Sequence, residues 1–151
     1  MITIVDTNIE DVKIIEPKIY NDERGYFFES YNQKEFCNKI GKINFVQDNE
    51  SKSTFGILRG MHYQAPPFEQ SKLVRVICGE IQDIAVDLRK DSPDYLKYVS
   101  VILSSKNKRQ LFIPKGFAHG FLVLSKKAIV NYKVDNYYNI KSEKFIPFND
   151  N

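Results

Sequence analysis

Much of the chain is written in period two. "KLVRVIC", "IQDIAVDL", "YVSVIL" and "AIVNYKV" place apolar residues at alternating or nearly continuous positions over short runs. Val, Ile, Phe and Tyr dominate them, and these side chains fit a pleated, half-buried surface. The same reading predicts strands at "VKIIEPKIY", "GYFFES", "NFVQDNES", "GILRGMHYQ", "RQLFI" and "GFLVLS". Turn signals such as "APP", "GE", "DSPD" and "PKG" separate them. So many short strands at close spacing predict an all-β fold, an antiparallel sandwich or barrel. One helix interrupts the pattern. In "YNQKEFCNKIG", Asn32 suits the N-cap, Glu35 sits three residues later to answer it, and Gly41 closes a helix of about ten residues.

Alternation also assigns side chains to faces. Lys72 falls in register with Val74, Val76 and Cys78. Burying an unpaired ammonium is costly, so this lysine either has a partner or ligand, or snorkels to water at the strand end. Asp83 shares a face with Ile81 and Ala85, either lining a cavity or facing solvent on an edge. Tyr132 lies with Ala128, Val130 and Val134, where a purely structural tyrosine is the commoner outcome. Phe45, Gln47, Asn49, Ser51 and Ser53 share a polar face that suits a sugar pocket or plain solvent. In "ILRGMHYQ", strict alternation sends Arg59 and His62 to opposite faces. Both reach one site only if the strand bends, and Gly60 is the natural place.

Composition narrows the classes. The 151 residues fit one domain, with 42% hydrophobic and 27% charged residues, as in a soluble globular protein. No apolar run approaches the ~18 residues of a membrane span, and the N-terminus lacks the features of a signal peptide. Cys37 and Cys78 have no CxxC context and read as reduced thiols in a cytoplasmic protein. The net charge of +3 is small and scattered, unlike a nucleic-acid-binding stripe, and is compatible with an anionic small molecule.

Chemistry narrows them further. The chain has two histidines, His62 and His119, and no HxH pair. Counting leaves a His/His/carboxylate site open, but nothing has metal-ligand spacing, and no metal or cofactor is expected. G-x-S-x-G, G-x-G-x-x-G and Walker patterns are absent. What remains is acid–base chemistry on a polar ligand. His62, His119, Lys72, Asp83, Tyr132 and several arginines suit proton abstraction beside a carbonyl, with a basic group on the enolate oxygen and a tyrosine returning a proton.

Five ordered motifs then carry a resemblance: "DERGYFFESYNQKEF", "FVQDNESKS", "GILRGMHYQAPP", "KLVRVICGEIQDIAVDLRKDSP" and "RQLFIPKGFAHGFLVLS". Together they resemble the dTDP-4-dehydrorhamnose 3,5-epimerases. The resemblance implies a cupin-type jelly roll without metal or cofactor, a homodimer, and a nucleotide-linked 4-keto-6-deoxy sugar as substrate, with no nucleic-acid or membrane partner. It implies His62 as general base, Tyr132 as general acid, Lys72 beside the C4 keto oxygen, His119 as a second site histidine and Asp83 as its carboxylate neighbour. It places Arg59 on the diphosphate, Gln47 and Asn49 in the polar wall and Tyr138 at the nucleotide end. Arg24 and Glu29 would reach the partner subunit's site.

Two departures stand out. Glu50 replaces a histidine common in relatives, at a position alternating away from Gln47 and Asn49, where little effect on catalysis is expected. Relatives also continue beyond "FIPFNDN" into a segment carrying an aspartate that pairs with the base. With the sequence ending at Asn151, either the chain is shortened, another carboxylate substitutes, or the protein is a weak or non-catalytic sugar-nucleotide binder.

Overall fold

The computed structural model describes residues 1–147. The expectation about the chain's end at Asn151 lies outside the described residues. Strands run in the order β1 (Ile2–Asp6), β2 (Lys13–Pro17), β3 (Tyr20–Asp22), β4 (Gly25–Phe27), β5 (Gln47–Thr54), β6 (Leu58–Gln64), β7 (Lys72–Cys78), β8 (Glu80–Asp87), β9 (Tyr98–Ser104), β10 (Gln110–Ile113), β11 (Phe117–Val123), β12 (Lys127–Val134) and β13 (Glu143–Phe145). Helix α1 (Gln33–Lys39) lies between β4 and β5.

Two antiparallel sheets face each other, ordered β1-β2-β10-β7-β12-β5 and β13-β6-β11-β8-β9, with β3 and β4 forming a separate hairpin. The chain crosses repeatedly between the sheets, as in the jelly roll that the resemblance implies. Val74 and Val76 of β7, Leu111 and Ile113 of β10, and Val130 of β12 meet Ile81 and Ala85 of β8, Leu103 of β9, and Phe117 and Phe121 of β11. Burying each large apolar side chain contributes about 1.5–3 kcal/mol, and these layers hold the sheets together.

The alternate residues of the first sheet face outward onto a smaller core. Leu73 and Phe112 pack there with Ile2, Ile15 and Phe36, and α1 covers them. Asn32 caps α1 as expected, its Oδ1 accepting the Glu35 amide at 3.1 Å. The reciprocal half of the capping box does not form. Glu35 turns instead to the chain's start, accepting from the Ile2 amide at 2.7 Å and pairing with the terminal ammonium at 2.9 Å. The helix is seven residues long, shorter than the spacing predicts.

Candidate active site

A cavity of about 420 Å³ opens between the sheets, a volume that suits a small polar ligand. Its walls come from both sides of the sandwich. Gln47, Asn49 and Ser51 of β5, Lys72 of β7 and Tyr132 of β12 line one wall. Arg59, His62 and Gln64 of β6, His119 and Phe121 of β11, and Glu143 of β13 line the other, with Tyr138 joining from the loop between β12 and β13.

Strand register explains the first wall. Tyr132 lies between Asn49 on β5 and Val74 on β7, and its neighbours on the same face, Ala128, Val130 and Val134, are buried. Burial raises the Tyr132 phenol above its ordinary range, so it remains protonated at neutral pH. Lys72, on the same face as the core residues Val74 and Val76, does not snorkel away but lines the cavity. Burial lowers its ammonium to about 8, against the pull of Asp83 and Glu143. Gln47 donates to the Asn49 side chain at 2.8 Å and accepts from the Tyr138 amide at 3.4 Å.

The second wall depends on a bulge. His119 of β11 lies opposite His62 of β6, and Phe121 lies opposite Arg59, so Gly60 and Met61 together oppose Gly120 alone. The register shift brings Arg59 and His62 into one pocket, as the sequence requires of Gly60. Gly60 takes φ +127°, and a Cβ there would stand 2.5 Å from Gly120 Cα and 2.8 Å from the His119 carbonyl oxygen. Neither the conformation nor the space admits a side chain. The Arg59 guanidinium donates to Ser53 Oγ at 2.7 Å, which ties the two walls together.

Asp83 is correctly placed on the inner face but does not line the cavity. It is fully buried behind His119, and its Oδ1 meets His119 Nε2 at 2.7 Å. Its Oδ2 has no hydrogen-bond partner among the described residues. This contact fixes the orientation of the His119 ring. His62 is different: its side chain is 48% exposed, and its Nδ1 lies 3.9 Å from Glu143 Oε1. Partial burial lowers its imidazole from the ordinary histidine value. Glu143 opposes that shift, while Lys72, His119 and Arg59 reinforce it.

Comparison with known proteins identifies the family. The family model for dTDP-4-dehydrorhamnose 3,5-epimerase matches residues 6–151. The chain belongs to the dTDP-4-dehydrorhamnose 3,5-epimerase family. It is 55% identical to the Shigella flexneri dTDP-4-dehydrorhamnose 3,5-epimerase, over 97% of this chain and 82% of the relative. A Legionella pneumophila dTDP-6-deoxy-D-glucose-3,5-epimerase, solved with dTDP-4-keto-L-rhamnose, superposes with a TM-score of 0.96 at 52% identity, covering 99% of this chain and 80% of that one. A 3'-monoepimerase from Streptomyces bikiniensis, solved with dTDP-quinovose, shares 27% identity and a TM-score of 0.88, covering 95% of this chain and 73% of that one.

Of the residues that the epimerase resemblance singles out, His62, His119, Lys72, Tyr132, Gln47, Asn49, Arg59 and Tyr138 converge on the cavity. Arg24 and Glu29 do not reach it within one chain. Arg24 pairs with Asp22 at 2.6 Å on the exposed β3–β4 hairpin, and Glu29 lies 3.5 Å from the terminal ammonium. Glu50 faces away, as alternation predicts. Sequence reasoning missed Gln64, whose amide donates to the carbonyls of Phe68 and Tyr137 at 2.6 and 3.2 Å. Its Oε1 also accepts the Asn139 amide at 2.6 Å, anchoring the loop that carries Tyr138. It also missed Glu143. The one clue was the expectation that His62 needs a carboxylate. Among the described residues, no group of three or more His, Cys, Asp or Glu is placed to hold a metal, and no helix is long and apolar enough to cross a membrane.

Proposed function

We propose that this chain epimerises C3 and C5 of dTDP-4-dehydro-6-deoxyglucose. One observation carries the reading: His62 and Tyr132 enter the same cavity from opposing sheets. Inversion needs a base on one face of a carbon and an acid on the other. His62, half exposed and held below its ordinary pKa, is largely neutral at pH 7 and takes the proton beside the C4 carbonyl. The electron pair moves onto the C4 oxygen, where the Lys72 ammonium and the His119–Asp83 pair stabilise the enolate. Tyr132 then delivers a proton to the opposite face of the carbon. Arg59 takes the diphosphate, Gln47 and Asn49 contact the polar ligand, and Tyr138 lines the nucleotide end.

The protein works as a homodimer in this reading, with Arg24 and Glu29 serving the partner's cavity. Their exposure on and beside the β3–β4 hairpin supports this, although in the single chain Arg24 pairs with Asp22 and Glu29 with the terminal ammonium. The unpaired Cys37 and Cys78 suit a reducing cytoplasm. The test is solvent deuterium incorporation into dTDP-4-dehydro-6-deoxyglucose, followed by NMR. Label at C3 and C5 is the expected result. Label at C3 alone makes the protein a 3-epimerase, and binding without any label makes it a non-catalytic sugar-nucleotide binder.

A further inference from the structure

A general base gains from a carboxylate at its second ring nitrogen, which selects the tautomer and stabilises the imidazolium. His119 already has Asp83, so that carboxylate is taken. Among the described residues, Glu143 is the one carboxylate within 4.0 Å of a His62 nitrogen. Its placement follows from β13. That strand pairs with β6 so that Phe145 lies opposite His62 and Glu143 opposite Gln64. Phe145 thus flanks the imidazole, with ring centroids 6.2 Å apart, while Glu143 sits one diagonal step along the same face. Reciprocal amide–carbonyl bonds between Met61 and Ile146, at 2.9 and 3.3 Å, hold the pair in register. Tyr138 completes the arrangement, its hydroxyl donating to Glu143 Oε2 at 2.8 Å and leaving Oε1 toward His62.

We propose that Glu143 is the positioning residue for the base His62. Steered by Tyr138, it faces Nδ1 and leaves Nε2 as the nitrogen that accepts the substrate proton. This rests on the reading of His62 as the base. At 3.9 Å the contact is too long for a direct hydrogen bond and acts as a charge interaction that one water can bridge. The other charged or titratable groups around His62 are Lys72 from β7, His119 from β11, Arg59 from β6 itself and Tyr132 from β12. The three bases all disfavour the imidazolium, and Glu143 opposes them.

The test is an NMR titration of the His62 imidazole in the full chain without ligand, set beside pH profiles of kcat and KM. The two histidines make the assignment simple. In Glu143→Gln, the His62 midpoint moves to lower pH, the acid limb of kcat/KM follows it, and kcat falls roughly tenfold with little change in KM. Tyr138→Phe, which frees Glu143 without removing its charge, gives a smaller shift in the same direction and serves if Glu143→Gln does not fold. Lys144→Ala, on the other face of β13, leaves the midpoint in place. An unmoved midpoint in both Glu143→Gln and Tyr138→Phe overturns the proposal. So does a rise in KM with midpoint and kcat unchanged, which assigns Glu143 to substrate binding alone. Failure of the unmodified protein to exchange deuterium strikes the epimerase reading instead, because the titration needs no substrate.

Discussion

His62 and His119 face each other across neighbouring strands, yet their surroundings differ in every respect that matters to an imidazole. His119 is 7% exposed and held at 2.7 Å by a carboxylate with no exposure of its own. His62 is half exposed, and its carboxylate stands back at 3.9 Å with 41% exposure. The interior strands β8 and β11 therefore supply a fixed ring, suited to holding charge on a substrate oxygen. The outer strands β6 and β13 supply a ring free to gain and lose a proton. In the proposed mechanism, one residue type performs two tasks because one strand pair is central and the other lies at the sheet's end. A base must cycle between protonation states, whereas an electrostatic stabiliser must not reorganise.

Removing the half-exposed ring breaks the comparison most severely. His62→Ala should cut deuterium incorporation by a factor on the order of 10²–10⁴. The fold should persist, since the side chain is half exposed and makes no close hydrogen bond among the described residues. Wild-type exchange in this variant, measured by NMR, would sink the assignment of His62 as base.

The bulge that lets Arg59 and His62 share a cavity comes next. Gly60→Ala places a methyl group against the Gly120 and His119 backbone at a φ that side-chain-bearing residues rarely adopt. A loss of about 1–3 kcal/mol is expected for the backbone strain alone, with more from the clash. Urea unfolding reads the stability, and the deuterium assay should show a further loss because Arg59 and His62 no longer share one register. A variant with wild-type stability and exchange would mean that the bulge does not place the site.

How far this contrast was legible in sequence differs between the two regions. β7 matches its predicted run residue for residue, from Lys72 to Cys78, because a short, nearly continuous aliphatic run there ends at the Gly79–Glu80 turn signal. Asp83 and Tyr132 are legible because each stands among apolar neighbours on its inner face, Ile81 and Ala85 beside the one, Val130 and Val134 beside the other. β3 and β13 are invisible, because three exposed residues show no alternation and, unlike the equally short β4 with its aromatic "GYFF", neither carries a β-favouring run. β1 was also missed, its short run lying at the start of the chain. Glu143 hides in such a strand, and only the return of the chain to β6 brings it to His62. Glu35 shows the same limit. Its local pattern predicts a capping box, and a tertiary contact with Met1 and Ile2 wins. Strand faces can be read from one strand's own residues, but an ion pair between two exposed side chains depends on a fold-level juxtaposition.

The fixed ring can be loosened without touching the base. Asp83→Asn keeps the shape but removes the charge beside His119 and leaves a buried ring nitrogen poorly matched. The expected cost is about 1–3 kcal/mol in stability. Exchange should fall less than in His62→Ala, because the base remains. Equal losses in the two variants would mean that the His119–Asp83 pair is no less central than the base.

The smallest effect concerns Lys72, which lines the cavity together with both histidines. The Lys72 ammonium is lowered to about 8, while the Tyr132 phenol is raised, so Lys72 is the group set to limit activity on the alkaline side. Exchange should rise with pH as His62 loses its proton and fall above about pH 8 as Lys72 loses its own. Stability follows a different course. The folded protein binds this proton less tightly than the unfolded chain, whose lysine titrates near 10.5. Between those values the unfolded state carries more protons, so Lys72 makes stability rise with pH across that window and penalises the fold below it. Lys72→Arg keeps the charge at all accessible pH. It should lower kcat only a few-fold, since Arg supplies the charge with altered geometry, and move the alkaline limb upward. A limb that stays near 8 in this variant would transfer the alkaline control to another group. The division of labour would then rest on the two histidines alone.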